Sequence, residues 1–182
     1  MRGREYLVMC LLGLVVVGLA GCGYTSRSLV TQNYKSIYVE PFVNKIDIAN
    51  DSYAANKYRI YRPTLESDIS KAVSEKFLFD GTLKSKRESV ADLVLKGELV
   101  EFRKDPLRYD DNNEVLEYRV NLVVNIGLWD NKDNRLLFTE NRFTGDTSYF
   151  VSGTQALTED TAISEAISDL ARRIVERVVE QW

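Results

Sequence analysis

The clearest pattern in the chain is an alternation of apolar and polar residues between positions 116 and 129. Seven apolar side chains stand two residues apart from Leu116 to Leu128, and mostly polar side chains, among them Glu117, Arg119 and Asn121, lie between them. Successive side chains of a strand point to opposite faces, so this period predicts a strand with one buried and one polar face, as in antiparallel sheets. At about 3.4 Å per residue the strand would exceed about 40 Å, and we expect a bulge or bend within it.

Three other segments have the patterns of shorter strands. Pro41, near the end of the first of them, has no amide donor, which favours an edge strand or a strand end. The aspartates at positions 110, 111, 130 and 133 are typical turn residues and separate the strands. The three segments are Ser36–Phe42, Ala91–Phe102, and a strand that follows the turn at 131–134 and passes through Leu136, Phe138 and Phe143.

Two segments have the period of amphipathic helices. The first extends from Pro63 to Phe79 and ends before Gly81, and the second extends from Thr158, a suitable N-cap, to Trp182. The order of one strand, a helix, a run of strands and a second helix predicts an α+β fold in which both helices cover one face of a largely antiparallel sheet. The apolar stripes are Leu65, Ile69, Ala72, Val73 and Phe77 in the first helix, and Ile163, Ala166, Ile167, Leu170, Ile174, Val178 and Trp182 in the second.

A polar connection rich in asparagine and tyrosine links the first strand to the first helix. It covers Val43 to Arg62, about twenty residues, which is long for a compact domain. Two interpretations remain open for it. It is either a functional loop or a connection that contains an unrecognised short strand near Tyr58–Tyr61.

The N-terminus has the features of a bacterial lipoprotein signal. Arg2 and Arg4 precede an apolar run, which ends in Leu-Ala-Gly followed by Cys22. The run is shorter than a membrane span, so a lipidated Cys22 is favoured over a transmembrane anchor. We therefore expect a signal peptide at 1–21, a lipidated tether at 22–34 and a single domain at 35–182. Gly23, in place of the aspartate that retains many lipoproteins in the inner membrane, favours the outer membrane.

Composition narrows the possible chemistry. The chain has two cysteines and no histidine, so removal of Cys10 with the signal and lipidation of Cys22 leave no thiol for a disulfide or redox site. Ser-His-Asp triads are excluded and the usual zinc sites are disfavoured, whereas paired carboxylates or a Ser-Lys dyad are not excluded. Loss of two arginines and one glutamate with residues 1–21 changes the net charge from −3 to −4, which argues against nucleic acid. No catalytic or phosphate-binding motif is present.

One connection combines cationic and apolar side chains. Between the two longest predicted strands, at 103–113, Arg103, Lys104 and Arg108 flank Leu107 and Tyr109. A protruding loop of this composition suits an amphiphile, because arginine binds phosphate as a fork while the apolar side chains contact acyl chains. The alternative is an ordinary hairpin loop with solvated charges.

The mature sequence resembles the LptE family of lipopolysaccharide-assembly lipoproteins. The resemblance rests on GCGY at the mature start, SIYVEPFVN, RPTLESDISKAV, ADLVLKGELVEF, EVLEYRVNLVVNIGLWD and the C-terminal ISDLARRIVERVVEQW. It implies two helices on a four-stranded sheet and a lipid-anchored, non-enzymatic protein without a cofactor or metal. Such a protein plugs the lumen of the outer-membrane β-barrel LptD from the periplasmic side, assists its assembly and binds lipopolysaccharide.

The same resemblance assigns lipopolysaccharide contacts. The family's basic residue in the loop before the EY-containing strand corresponds to Arg108, with Arg103, Lys104 and Tyr109 as further candidates. A second basic position before the last helix falls in Ser152–Gln155, which has no lysine or arginine. A regulatory lipoprotein of a cell-wall synthase or secretion channel, and a lipid-anchored enzyme, remain as alternatives. The one-faced alternation from Leu116 to Leu128 disfavours the parallel core usual in such regulators.

Overall fold

The computed structural model describes residues 33–46 and 62–180. Cys22, Tyr53, the Tyr58–Tyr61 segment and Trp182 lie outside these residues. The elements within them are, in chain order, β1 (Ser36–Val39), β2 (Val43–Asn44), α1 (Leu65–Asp80), β3 (Lys84–Ser85), a 3-10 turn (Glu88–Val90), β4 (Leu93–Tyr109), β5 (Val115–Asp130), β6 (Arg135–Phe150) and α2 (Glu159–Val179).

The strands form one mixed sheet of six strands. The long strands β4, β5 and β6 are antiparallel neighbours, whereas β1 pairs in parallel with both β3 and β4, and β2 pairs in parallel with β4. The α+β class is confirmed, but the expected four-stranded, largely antiparallel sheet is wrong in strand number and in these parallel pairs. The strands β2 and β3 have two residues each, too few for a period, and a strand that returns after a helix pairs in parallel.

Within the described residues, both helices bury the stripes that their period predicts. Leu65, Ile69, Val73 and Phe77 of α1 are completely buried, and Ala72 is partly buried. The N-cap of α2 is Thr158, whose hydroxyl accepts a hydrogen bond from the Thr161 amide. One hydrophobic core joins these stripes to residues of β1, β4 and β5, including Ile37, Leu95, Phe102, Leu122, Val124 and Leu128.

The predicted loop at 103–113 is largely strand. Strand β4 continues to Tyr109, and only a short turn separates it from β5, which begins at Val115. The sequence was misleading here because Pro106 usually interrupts a strand. Among the described residues, however, β4 pairs only with β5 beyond Leu99, so Pro106 lies on a sheet edge where proline is tolerated. Register shifts near this proline and on β5 confirm the expected irregularity of the long strands.

The molecule has two distinct ends. At the end that we call proximal, β1 and β4 begin, and Tyr34 donates a hydrogen bond to Asp130, the last residue of β5. At the opposite, distal end, β4 and β6 finish and α2 begins, so α2 runs antiparallel to β4 and β6. Within the described residues no helix is both long and apolar enough to cross a membrane.

Candidate functional site

The face of the sheet that the helices leave uncovered, which we call the open face, carries paired charges along β4, β5 and β6. Each arginine on it lies near a carboxylate of the same strand, of a neighbouring strand or, for Arg142, of the next strand but one. These pairs follow from the alternation read in the sequence, because every second residue of the long strands points away from the core. The pairs are Arg103 with Glu101 and Asp105, Arg108 with Glu117, Arg119 with Asp146, and Arg142 with Glu101.

Glu101 is the most enclosed charge on the open face. Only 6% of its side chain is exposed, and its two oxygens contact Arg103 at 3.2 Å and Arg142 at 2.7 Å. Arg142 adopts a left-handed backbone conformation with φ 57°, and its amide donates to the Asn125 side chain. Because two guanidinium groups face this buried carboxylate, Glu101 is not left as an unpaired buried charge, and the open face stays a polar surface.

Arg108 lies near the distal end of the open face. Its side chain is 67% exposed, its Nε is 3.1 Å from Glu117 Oε2, and its guanidinium lies 5.8 Å from the centre of the Phe150 ring. Leu107 and Tyr109, the neighbours on β4, are also exposed. The expected combination of a cation with apolar side chains is therefore present, on a strand end and not on a loop.

Arg103 and Lys104 are adjacent in β4 and point to opposite faces. The ammonium of Lys104 forms a hydrogen bond with Glu159 in the first turn of α2 and lies 4.6 Å from the centre of the Tyr118 ring. Burial lowers the pKa of Lys104, but the hydrogen bond to Glu159 and neighbouring negative charge outweigh burial, so the pKa is raised overall. The geometry thus places Arg103, but not Lys104, on the same face as Arg108.

The segment at 152–155 lies at the distal end, close to Arg108. It follows Phe150, which pairs with Glu117, and the Leu157 amide donates to the Phe150 carbonyl where the chain turns back. No basic residue enters the distal end from this segment. Two exposed apolar residues here, Val151 and Leu157, could not be identified from the sequence, because their exposure depends on this turn.

The turn aspartates have structural partners. Asp110 accepts hydrogen bonds from the amides of Asn112 and Glu114, and Asp130 accepts from those of Lys132 and Asp133. Asp111 and Asp133 lie exposed in turns as predicted, whereas Asp130 is the buried last residue of β5 and only its side chain serves the turn. Among residues 33–46 and 62–180, no three histidine, cysteine, aspartate or glutamate side chains form a group that could hold a metal ion.

A family model described as "LptE: Lipopolysaccharide-assembly" matches residues 34–181. The match covers β1 to α2 and includes the open face and the distal end. No curated protein matches the sequence.

Solved structures support the fold. Protein XCC0632 from Xanthomonas campestris is similar with a TM-score of 0.53 and 15% identity, over 80% of this chain and 85% of that one. The hypothetical protein CT253 from Chlamydia trachomatis is similar with a TM-score of 0.52 and 14% identity, over 80% of this chain and 95% of that one. At this identity the likeness concerns the fold alone.

Proposed function

The chain belongs to the LptE family of lipopolysaccharide-assembly proteins, and we propose that it is an outer-membrane lipoprotein that plugs the LptD β-barrel, assists its assembly and binds lipopolysaccharide. In this proposal the open face meets the inner wall of the barrel. The distal end receives the lipid head group. Lipidated Cys22 holds the protein on the periplasmic side of the outer membrane.

The open face is the observation that carries the barrel contact. The wall of a transmembrane barrel lumen is polar, and its strands present polar side chains inward. A plug for such a lumen needs an extended polar surface that is already stable in its folded form. The open face meets both requirements, because long strands support it and its charges are paired, as Arg119 is with Asp146 at 3.6 Å.

The distal end supports lipopolysaccharide binding. Arg108 presents a largely exposed guanidinium beside the apolar side chains of Leu107 and Tyr109. Arginine binds phosphate with two parallel hydrogen bonds, while the apolar side chains suit the acyl portion of an amphiphile. In place of the missing basic residue at 152–155, Arg103 supplies the second positive charge, since it shares the open face with Arg108.

Photo-crosslinking in cells tests the barrel contact. A photoreactive residue at Asn121 on the open face should capture a partner much larger than this protein, as should one at Tyr53 or Tyr58 in the preceding connection. Lys71, exposed on α1, is the matched control and should give a much lower yield. Equal yields at Asn121 and Lys71 would contradict the assignment of the open face. Absence of crosslinks at Asn121, Tyr53 and Tyr58 in cells that contain LptD would refute the plug.

A further inference from the structure

Two large apolar side chains are exposed at the end of α1. Leu78 is 69% exposed and Phe79 is 85% exposed, although Phe77 immediately before them is completely buried. They lie beyond the stripe that packs on the sheet, and the helix ends one residue later at Asp80. Single exposed apolar residues are common, but two adjacent large ones beside a cationic segment indicate an interaction surface.

A cationic segment follows this apolar pair. Lys84, Lys86 and Arg87 are exposed on and just after the edge strand β3. Among the described residues no carboxylate lies within 4.0 Å of their charged groups, in contrast to the arginines of the open face. Lys86 and Arg87 line an open groove of about 510 Å³ together with Val90, which is also exposed.

These residues lie where the chain enters the fold. The Lys84 amide donates to the Lys35 carbonyl at 2.9 Å, and the Lys86 amide donates to the Ile37 carbonyl at 3.0 Å, so the cationic segment borders the start of β1. Lys84 follows Phe79 by five positions, which keeps the Cα atoms of these two residues within about 18 Å of each other. All of these residues are at the proximal end, which we name the proximal patch: Leu78, Phe79, Lys84, Lys86, Arg87 and Val90.

We propose that the proximal patch rests on the phospholipid surface that holds the acyl chains of Cys22. This inference rests on the proposed lipidation of Cys22. Eleven residues lead from Cys22 to Asn33, and their extended length is at most about 38 Å, so the proximal end stays near the anchoring surface. Exposed phenylalanine and leucine suit the interface between head groups and acyl chains, while lysine and arginine attract anionic head groups.

The contact orients the whole molecule. Strand β4 has 17 residues and runs from the proximal to the distal end, a length of about 55 Å at the usual rise of a strand. With the proximal patch on the lipid surface, Arg108 at the other end is held away from that surface. The two ends then have different tasks, since the proximal end positions the protein and the distal end is free to meet the transported lipid.

Fluorescence quenching by lipids tests this contact in the full acylated protein. The mature chain has no cysteine other than the acylated Cys22, so a cysteine introduced as Phe79→Cys or Ser67→Cys is labelled alone. Ser67 is exposed on the same helix, about 18 Å away, and we expect quenching by spin-labelled lipids at least about threefold stronger at position 79. The vesicles contain phosphatidylethanolamine and phosphatidylglycerol. Equal quenching at both positions would overturn the proposal.

Two further experiments complete the test: one varies the charge of the lipid and of the protein, and the other adds LptD. Quenching at position 79 should increase with the phosphatidylglycerol content, and Lys84→Glu/Lys86→Glu/Arg87→Glu should remove this dependence without changing the circular dichroism spectrum. A label at position 79 that becomes shielded only when LptD is co-purified would identify the barrel as the occupant and overturn the lipid contact. Mass spectrometry of the same samples separates these outcomes from a failure of lipidation, which would refute the proposed anchor itself.

Discussion

Gly145 of β6 lies directly beneath Leu170 of α2. A Cβ atom at position 145 would be 2.5 Å from the Leu170 Cα and 2.6 Å from its backbone nitrogen, closer than non-bonded atoms approach. Leu170 is completely buried in the core at this point. The missing side chain therefore lets the backbone of α2 pack on the sheet, and it sets the distance between the two layers.

The substitution Gly145→Ala should destabilise the fold. The new methyl group meets helix backbone and not a flexible side chain, so α2 has to shift, at a cost of about 1–3 kcal/mol or somewhat more. Urea unfolding followed by circular dichroism measures the change. The matched control is Gly127→Ala, where the nearest atom to a new Cβ is Trp129 Nε1 at 3.4 Å, an ordinary contact. If both variants unfold at the same urea concentration, the close approach of α2 does not explain why position 145 requires glycine.

The hydrogen bond from Tyr34 to Asp130 should make stability depend on pH. The Tyr34 hydroxyl is 2.7 Å from Asp130 Oδ2, and this bond, opposed by burial and assisted by backbone amides, lowers the pKa of Asp130. A lowered pKa stabilises the folded state above the unfolded value of about 4, and the contribution is lost as the pH falls through the folded pKa. At pH 7 the free energy of unfolding of Asp130→Asn should be about 1–3 kcal/mol lower than that of the parent, and at low pH the two should be equal.

Urea unfolding at pH values from about 2 to about 7, the range in which carboxylates titrate, measures this dependence. Asp133→Asn, in the same turn and exposed, is the control and should follow the parent at every pH. Tyr34→Phe should weaken the dependence, because it removes the largest cause of the lowered pKa of Asp130. A constant difference between Asp130→Asn and the parent down to the lowest pH would contradict this account.

Elements with a repeated pattern of apolar and polar residues could be predicted from the sequence. Elements that form only by pairing with strands distant in the sequence could not. The stripe of α1 and the alternation of β5 are repeated signals, and they placed the core correctly. Strands β2 and β3 are two residues long and exist only because β4 and β1 provide partners. The position of Lys104 needed the register of β4 and the start of α2, because in sequence Lys104 and Glu159 are 55 residues apart.

The candidate site was predicted in composition but not in shape. Cations and apolar residues near position 108 were visible in the sequence, yet the segment at 103–113 was predicted as a loop and the structure has a strand as far as Tyr109. On a strand, alternation separates Arg103 from Lys104, which residue types alone do not reveal. The pairing of Arg108 with Glu117 likewise depends on the register between β4 and β5.

Cys22 is expected to be the acylated N-terminus of the mature protein. The residue follows Leu-Ala-Gly at the end of the apolar run, where lipoprotein signals are cleaved. Intact mass spectrometry of membrane-extracted protein should give a chain that begins at Cys22 and carries the mass of a diacylglyceryl group. In Cys22→Ser the lipid mass should be absent and the protein should leave the membrane fraction. An unmodified chain that retains residues 1–21 would contradict the lipoprotein assignment.

Loss of the Arg108 charge should weaken lipopolysaccharide binding. An aspartate at this position would place a second carboxylate beside Glu117, which is almost buried, and would disturb the strand as well as the site. The pair Arg108→Gln/Glu117→Gln removes both charges and retains hydrogen-bonding side chains of similar size. A charge-assisted contact with phosphate contributes about 1.5–3 kcal/mol, so we expect binding at low salt to weaken by about tenfold or more.

Three companion variants separate a lipid contact from a general loss of charge. Arg119→Gln, on the same face and also paired with a carboxylate, should bind nearly as the parent does. Arg103→Gln should weaken binding further when added to the Arg108 pair if it supplies the second charge. Lys104→Met should lower stability but not affinity, because its ammonium contacts Glu159 on the helix side. If the Arg108→Gln/Glu117→Gln protein binds lipopolysaccharide as tightly as the parent, the distal end is not the lipid site, and the barrel contact alone accounts for the open face.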